Sequence, residues 1–199
     1  MRARSVLCLV GGGSLLLGLL ASPALAEPAP NQGRCVSELA RAGLIGRDLN
    51  PGKANFVVGT EGDDVFDAMV TDDVDVICGF GGNDRIETLD AGDVFLGGEG
   101  DDLVPFNRGT FIGGEGNDFV AFNFGTFNGG PGDDVVAFNE SGAVFNGGPG
   151  NDQVDFNFGT FNGDAGDDSV IFNESGGVFN GGPGNDTVAI AFPGSTFNQ

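Results

Sequence analysis

Gly129-Gly130-Pro131-Gly132-Asp133-Asp134-Val135-Val136-Ala137-Phe138-Asn139 joins a glycine-rich turn to a run whose apolar residues stand two apart. The same order recurs along the chain. An apolar residue is followed seven positions later by Asp in Phe95 to Asp102, Phe111 to Asp118, Phe127 to Asp134, Phe145 to Asp152, Phe161 to Asp168 and Phe179 to Asp186, with Val57 to Asp64 and Ile77 to Asp84 extending the series. The eight Asp residues are spaced by 20, 18, 16, 16, 18, 16 and 18. A period of this size marks a solenoid, in which one coil cannot bury its apolar side alone and must stack on its neighbours. The 38 glycines among 199 residues therefore report periodic turns and not low complexity.

After each Asp the apolar residues fall at +2 and +4, as in Val136 and Phe138, Val154 and Phe156, Val170 and Phe172, or Val188 and Ile190. Side chains two apart on a strand share a face, so Val and Phe are predicted to face the interior, with Ala137, Asp155, Ile171 and Ala189 facing out. The opening Phe of each unit supplies a second strand, and every Phe is predicted to lie in a ladder of rings filling the core. The expected fold is all-β, a right-handed parallel β-roll or β-solenoid of about eight coils of 16 to 20 residues. Length varies only at the return turn, which is short in Asn123-Phe124-Gly125-Thr126 and longer in Asn139-Glu140-Ser141-Gly142-Ala143-Val144. Asn107, Asn123, Asn139, Asn157 and Asn173 recur there and predict a ladder of side-chain hydrogen bonds.

Composition narrows the chemistry. His, Trp and Tyr are absent, which excludes imidazole metal sites and histidine-based nucleophile systems. Lys and Arg number 8 against 29 Asp and Glu, a net charge of −21, so nucleic-acid backbones and anionic membranes are excluded as partners and cations are favoured. Between residues 57 and 199 there are 26 acidic residues and only Arg85 and Arg108 as cations, a net of −24.

The turns Gly97-Gly98-Glu99-Gly100-Asp101-Asp102, Gly113-Gly114-Glu115-Gly116-Asn117-Asp118, Gly129-Gly130-Pro131-Gly132-Asp133-Asp134, Gly147-Gly148-Pro149-Gly150-Asn151-Asp152 and Gly181-Gly182-Pro183-Gly184-Asn185-Asp186 match G-G-x-G-x-D-x-U-x. The chain from about residue 57 to 199 resembles the RTX-type (hemolysin-type) calcium-binding repeat family. Glycine permits positive φ and bares backbone carbonyls, and Asp adds carboxylate oxygens suited to a hard cation. The resemblance implies Ca²⁺ held between consecutive turns by Asp64, Asp84, Asp102, Asp118, Asp134, Asp152, Asp168 and Asp186, with up to about seven ions in the seven gaps between eight turns. Seven ions would bring the net charge from −24 to −10. Two departures from the family pattern matter. The second edge carries Asn-Phe-Gly or Asn-Glu-Ser-Gly turns, so a single edge of calcium is predicted, and the second glycine is replaced by Thr60, Phe80 and Asp164, which puts the sites of Asp64, Asp84 and Asp168 in question.

Arg2 and Arg4, an apolar stretch from Val6 to Leu20 and Ala24-Leu25-Ala26 have the layout of a secretory signal, with cleavage predicted after Ala26. The predicted organisation is a signal peptide at 1–26, a linker and short capping helix at 27–56 and the roll at 57–199. Cys35 and Cys78 are the two cysteines beyond the signal and predict a disulfide in an exported protein, tying the cap over the first coil. The expected function is that of a secreted, non-enzymatic calcium-binding repeat protein with no membrane span, folding on extracellular Ca²⁺ and serving a structural or matrix role with an extracellular protein or polysaccharide. Two rival readings are a polysaccharide-acting β-helix enzyme, which would need Arg85 or Arg108, and an ice-binding solenoid built on Thr110, Thr126, Thr160 and Thr196.

Overall fold

A computed structural model describes Cys35, Ser37, Leu39, residues 55–66 and residues 74–199. The predicted signal and most of the predicted linker lie outside the described residues. The first strands are β1 (Asn55–Val58), β2 (Val65–Phe66), β3 (Asp75–Gly81), β4 (Arg85–Ile86), β5 (Thr88–Leu89), β6 (Val94–Glu99), β7 (Leu103–Asn107), β8 (Thr110–Glu115) and β9 (Phe119–Asn123). They are followed by β10 (Thr126–Asn128), β11 (Val135–Asn139), β12 (Val144–Pro149), β13 (Gln153–Asn157), β14 (Thr160–Ala165), β15 (Ser169–Asn173), β16 (Val178–Asn180), β17 (Thr187–Ala191) and β18 (Thr196–Asn198).

The chain places one strand in each of two sheets per coil. One sheet runs β1-β3-β6-β8-β10-β12-β14-β16-β18, and the other runs β17-β15-β13-β11-β9-β7-β4-β2 with β5 also on β7. Pairing is parallel throughout, and identical positions stack on one another, as in Phe127 on Phe145 and Val136 on Val154. The result is a parallel β-solenoid of about eight coils. Each coil leaves its apolar face unsatisfied until the next coil covers it, which explains why the sequence repeats and not merely alternates.

Between the sheets, Phe95, Phe111, Phe127, Phe145, Phe161 and Phe179 face Val104, Val120, Val136, Val154 and Val170, all buried. The rings stack with centroids 4.8 to 5.1 Å apart and planes within 10°. A large ring from one sheet meets a small branched side chain from the other, which fills a thin interior evenly, and each buried ring contributes about 2 to 3 kcal/mol.

The second set of rings departs from expectation. Phe106, Phe122, Phe138, Phe156 and Phe172 form a ladder of their own, with centroids 4.8 to 5.3 Å apart, on the outer surface of the second sheet. They are half-buried or, at Phe106, 37% exposed. The cause is the residue that follows each ring. Asn107, Asn123, Asn139, Asn157 and Asn173 are fully buried, so Val136 and Asn139 both point inward, three positions apart, and Phe138 between them is turned out. The first four Asn side chains each donate to the next Asn Oδ1 at 2.8 to 3.0 Å, and all five donate to a carbonyl of the facing strand, such as Thr160 for Asn139 at 3.0 Å. A buried amide so satisfied is favourable, whereas a ring in the same corner would leave the carbonyl unpaired.

The described part of the cap packs on a face of the first sheet. Cys35 is disulfide-bonded to Cys78, with Cα atoms 5.9 Å apart, and Cys35, Ser37 and Leu39 are helical. Cys35 and Leu39 are buried against Val76, Cys78, Phe80, Val94 and Leu96. These residues lie on the outer face of the first sheet, because Ile77 and Phe95 between them point inward. The described part of the cap therefore covers the outer face of the first three coils, with Phe56 and Val58 of β1 packed against the same cluster. Beyond its reach the same outward column changes from Cys78, Leu96 and Ile112 to Asn128 and Asn146.

Candidate metal centre

The fixed turn begins where a strand of the first sheet runs out. In the central copy, Gly130 has φ +114° and Gly132 has φ +147°, and a Cβ built on Gly132 would fall on the carbonyl oxygen of Gly116 in the preceding coil. Absence of a side chain lets successive turns stack backbone on backbone, with Gly132 N–H donating to Pro149 O at 3.0 Å and Gly116 N–H to Pro131 O at 3.0 Å.

The motif Asp folds back under this turn. Asp84, Asp102, Asp118, Asp134, Asp152, Asp168 and Asp186 are all buried. Each accepts, at Oδ1, the backbone N–H of the Asp one coil earlier, from 2.7 Å at Asp134 to 3.1 Å at Asp186. At all seven, Oδ2 is buried and has no hydrogen-bond partner. It occupies the space that a side chain on the first glycine of the motif would fill, Gly129 for Asp134. From Asp84 to Asp168, the carbonyl of the next coil's first glycine lies within 2.5 to 2.9 Å of that same point, as Gly147 O does for Asp134. A row of orphaned carboxylate oxygens thus converges with a row of carbonyls.

Electrostatics make the row unstable as a set of anions. Burial pushes Asp102 and Asp134 up to about 8, Asp118 and Asp152 to about 7, and Asp84 and Asp168 to about 6, with neighbouring carboxylates adding to the rise and the backbone N–H opposing it. The donors are all oxygen, which suits a hard cation and not a metal seeking thiolate or imidazole. Among the described residues no three carboxylates or cysteines surround one point, so a cation here relies on turn carbonyls as well as on the Asp row.

Asp64 is set apart from the other seven predicted residues. Its Oδ2 accepts the Thr60 N–H at 2.6 Å and the Thr60 hydroxyl at 3.0 Å, and it is only half-buried. At the other two replaced glycines the backbone keeps its shape. Phe80 holds φ +84° and Asp164 φ +69°, the left-handed region that favours glycine. Phe80 is held there by burying its ring beside Leu39. Asp164 is exposed and raises the pKa values of Asp152 and Asp168. Asp164→Gly is expected to stabilise the calcium-free fold by about 1 kcal/mol, by removing left-handed strain and one repulsive charge. A urea midpoint that fell in this variant would contradict the account.

A second column escaped the sequence reading. Asp63, Asn83, Asp101, Asn117, Asp133, Asn151, Asp167 and Asn185 alternate strictly, and each backbone N–H donates to the side-chain Oδ1 of the previous coil, as Asn117 N–H does to Asp101 at 2.8 Å. Alternation doubles the distance between like charges in an exposed column, so this ladder stacks without a counter-ion. The residue preceding each motif Asp carried that signal. The buried row has no such relief, being Asp at every coil.

A family model for the RTX calcium-binding nonapeptide repeat matches four copies in this chain, over residues 52–74, 79–104 and 110–125. No curated protein and no solved structure matches the chain. The turns at Asp134, Asp152, Asp168 and Asp186 lie outside the matched residues yet repeat the matched geometry, orphaned Oδ2 included. The chain carries RTX calcium-binding nonapeptide repeats, set in a parallel β-solenoid.

Proposed function

We propose that this is an exported, non-enzymatic calcium-binding repeat protein whose solenoid is completed by Ca²⁺ along the edge formed by the fixed turns. Asp84, Asp102, Asp118, Asp134, Asp152 and Asp168 hold the ions with the glycine carbonyls beside them, and Asp64 and Asp186 close the two ends of the row. The supporting observation is the column of buried, partnerless Oδ2 atoms on adjacent coils. A hard divalent cation supplies the positive charge and the oxygen-seeking coordination that such a column lacks. The seven gaps allow up to about seven ions, and the affinity suited to an extracellular module is roughly 10⁻⁴ to 10⁻³ M. Export rests on the N-terminal leader, and a structural or matrix role is the reading we give to a scaffold built of repeated coils.

The enzyme and ice-binding readings have less behind them. Arg85 pairs with Glu87, and Arg108 stands between Asp90 at 3.7 Å and the Phe124 ring at 5.8 Å, so each of these cations is engaged with a carboxylate outside the Asp row. The Thr column is interrupted in register by Val144 and Val178.

Far-UV circular dichroism during a Ca²⁺ titration, after stripping with EDTA and with Mg²⁺ as control, tests the proposal. A cooperative coil-to-β transition at neutral pH that Mg²⁺ does not reproduce is expected. A β spectrum already complete in EDTA at pH 8 would remove the metal from the fold.

A further inference from the structure

The outward face of the second sheet, from β7 to β17, has no charge except Asp155. Its Phe106, Phe122, Phe138, Phe156, Phe172 and Ile190 form one continuous apolar ridge in register. The ridge stops at β4, where Arg85 and Glu87 form an ion pair on the same face. The first sheet supplies a control within the same molecule. Its outward column through Cys78 and Leu96, which Cys35 and Leu39 cover, becomes Asn128, Asn146, Asn162 and Asn180 where no described residue covers it, while the column through Val76 and Val94 turns to Thr interrupted by Val144 and Val178. An outward column that stays apolar over six coils is thus the pattern of a covered face in this chain.

We infer that the cover is a second copy of the same chain, laid face to face with the solenoid axes antiparallel, about a two-fold axis parallel to the strands between β11 and β13. Three features select this occupant. First, both faces have the same coil period, so a ridge of rings on one copy meets a ridge of identical spacing on the other, Phe138 near Phe156 and Phe122 near Phe172. Second, a chain of net charge −21 repels its copies everywhere except where charge is missing, and this face is missing it. The two-fold also sets the single charge, Asp155, opposite Ala137 of the other copy, whereas a parallel arrangement in register would set Asp155 against Asp155. Third, six strands at ~4.8 Å spacing and about five residues at ~3.3 Å rise make roughly 500 Å² of flat area per copy. Two copies lose roughly 1,000 Å², the low end for a specific interface, where weak and transient pairs sit.

Sedimentation equilibrium of the full chain, folded in Ca²⁺, over a wide concentration range is the test. Wild type is expected to show a monomer–dimer equilibrium. In the two-fold arrangement Ala121 faces Ile171 of the other copy, while within one chain the two are three coils apart. Ala121→Lys and Ile171→Glu should each weaken the dimer by about tenfold or more, and the double variant should recover to within about threefold of wild type by forming two ion pairs across the axis. Circular dichroism of each variant in Ca²⁺ separates loss of pairing from loss of fold, and so separates failure of this inference from failure of the calcium reading. A folded wild type that stays monomeric at high concentration overturns the proposal and leaves the face to a different partner. Folded single variants that weaken the dimer without rescue in the double variant overturn the two-fold arrangement.

Discussion

Gly132→Ala is expected to abolish the fold even in saturating Ca²⁺, costing more than about 4 kcal/mol, whereas Gly142→Ala should cost about 1 kcal/mol. Both glycines have positive φ, +147° and +86°. They differ in surroundings: a Cβ on Gly132 runs into the Gly116 carbonyl of the coil below, and a Cβ on Gly142 meets nothing within 4 Å. Alanine is strained at both, more so at +147°, far outside the left-handed well, so at Gly132 backbone strain and the lost backbone-on-backbone stacking of the fixed turns add. Because each coil touches only its neighbours, prying Gly132 from Gly116 also uncouples the coils on either side. Urea unfolding in saturating Ca²⁺ measures both variants, and equal losses would show that close stacking of the turns is not what holds the coils together.

The second large effect is of pH on the calcium-free protein. Asp84, Asp102, Asp118, Asp134, Asp152 and Asp168 titrate at about 6 to 8 in the folded chain, against about 3.9 for Asp in an unfolded one. The folded state therefore binds more protons between these limits, so its stability is fully present below about pH 4 and is lost as pH rises through 6 to 8. In EDTA, β structure is expected to increase as pH falls from 8 to 5. Calcium and protons relieve the same buried charge, and the transition in saturating Ca²⁺ should be nearly independent of pH above 7. Asp134→Asn separates the two. Its amide keeps an oxygen for the Asp118 N–H and places an NH₂ beside the Gly147 carbonyl, so the calcium-free fold at pH 8 gains stability. The same change removes a carboxylate from the row, and the Ca²⁺ midpoint should rise about tenfold, near 1.4 kcal/mol. Circular dichroism in EDTA and in a Ca²⁺ titration reads both signs, and a variant that shifts both in the same direction contradicts the assignment.

Much of the fold was legible because a solenoid repeats its local rules. The seven-residue step from Phe127 to Asp134, echoed at every coil, placed both strands, the fixed turn and the buried Val column. Phe138 was misread for a specific reason. Alternation says that Val136 and Phe138 share a face, and nothing local reveals that Asn139, a polar residue, takes the inner corner instead. That choice depends on the Thr160 carbonyl of the facing strand and on Asn157 one coil away, 21 and 18 positions on in the sequence. The outward positions Val76, Val94 and Leu96 likewise read as ordinary strand residues until Leu39 is seen against them.

The amino-acid sequence by itself determined the period, the parallel stacking and the acidic repeat, because each follows from residues close together and is then repeated. Tertiary structure alone decided which way each ring points, which face the cap covers and which carboxylate oxygen is left without a partner. Those outcomes depend on hydrogen bonds and packing between coils, where a buried amide or carbonyl must be satisfied before a ring can claim the space.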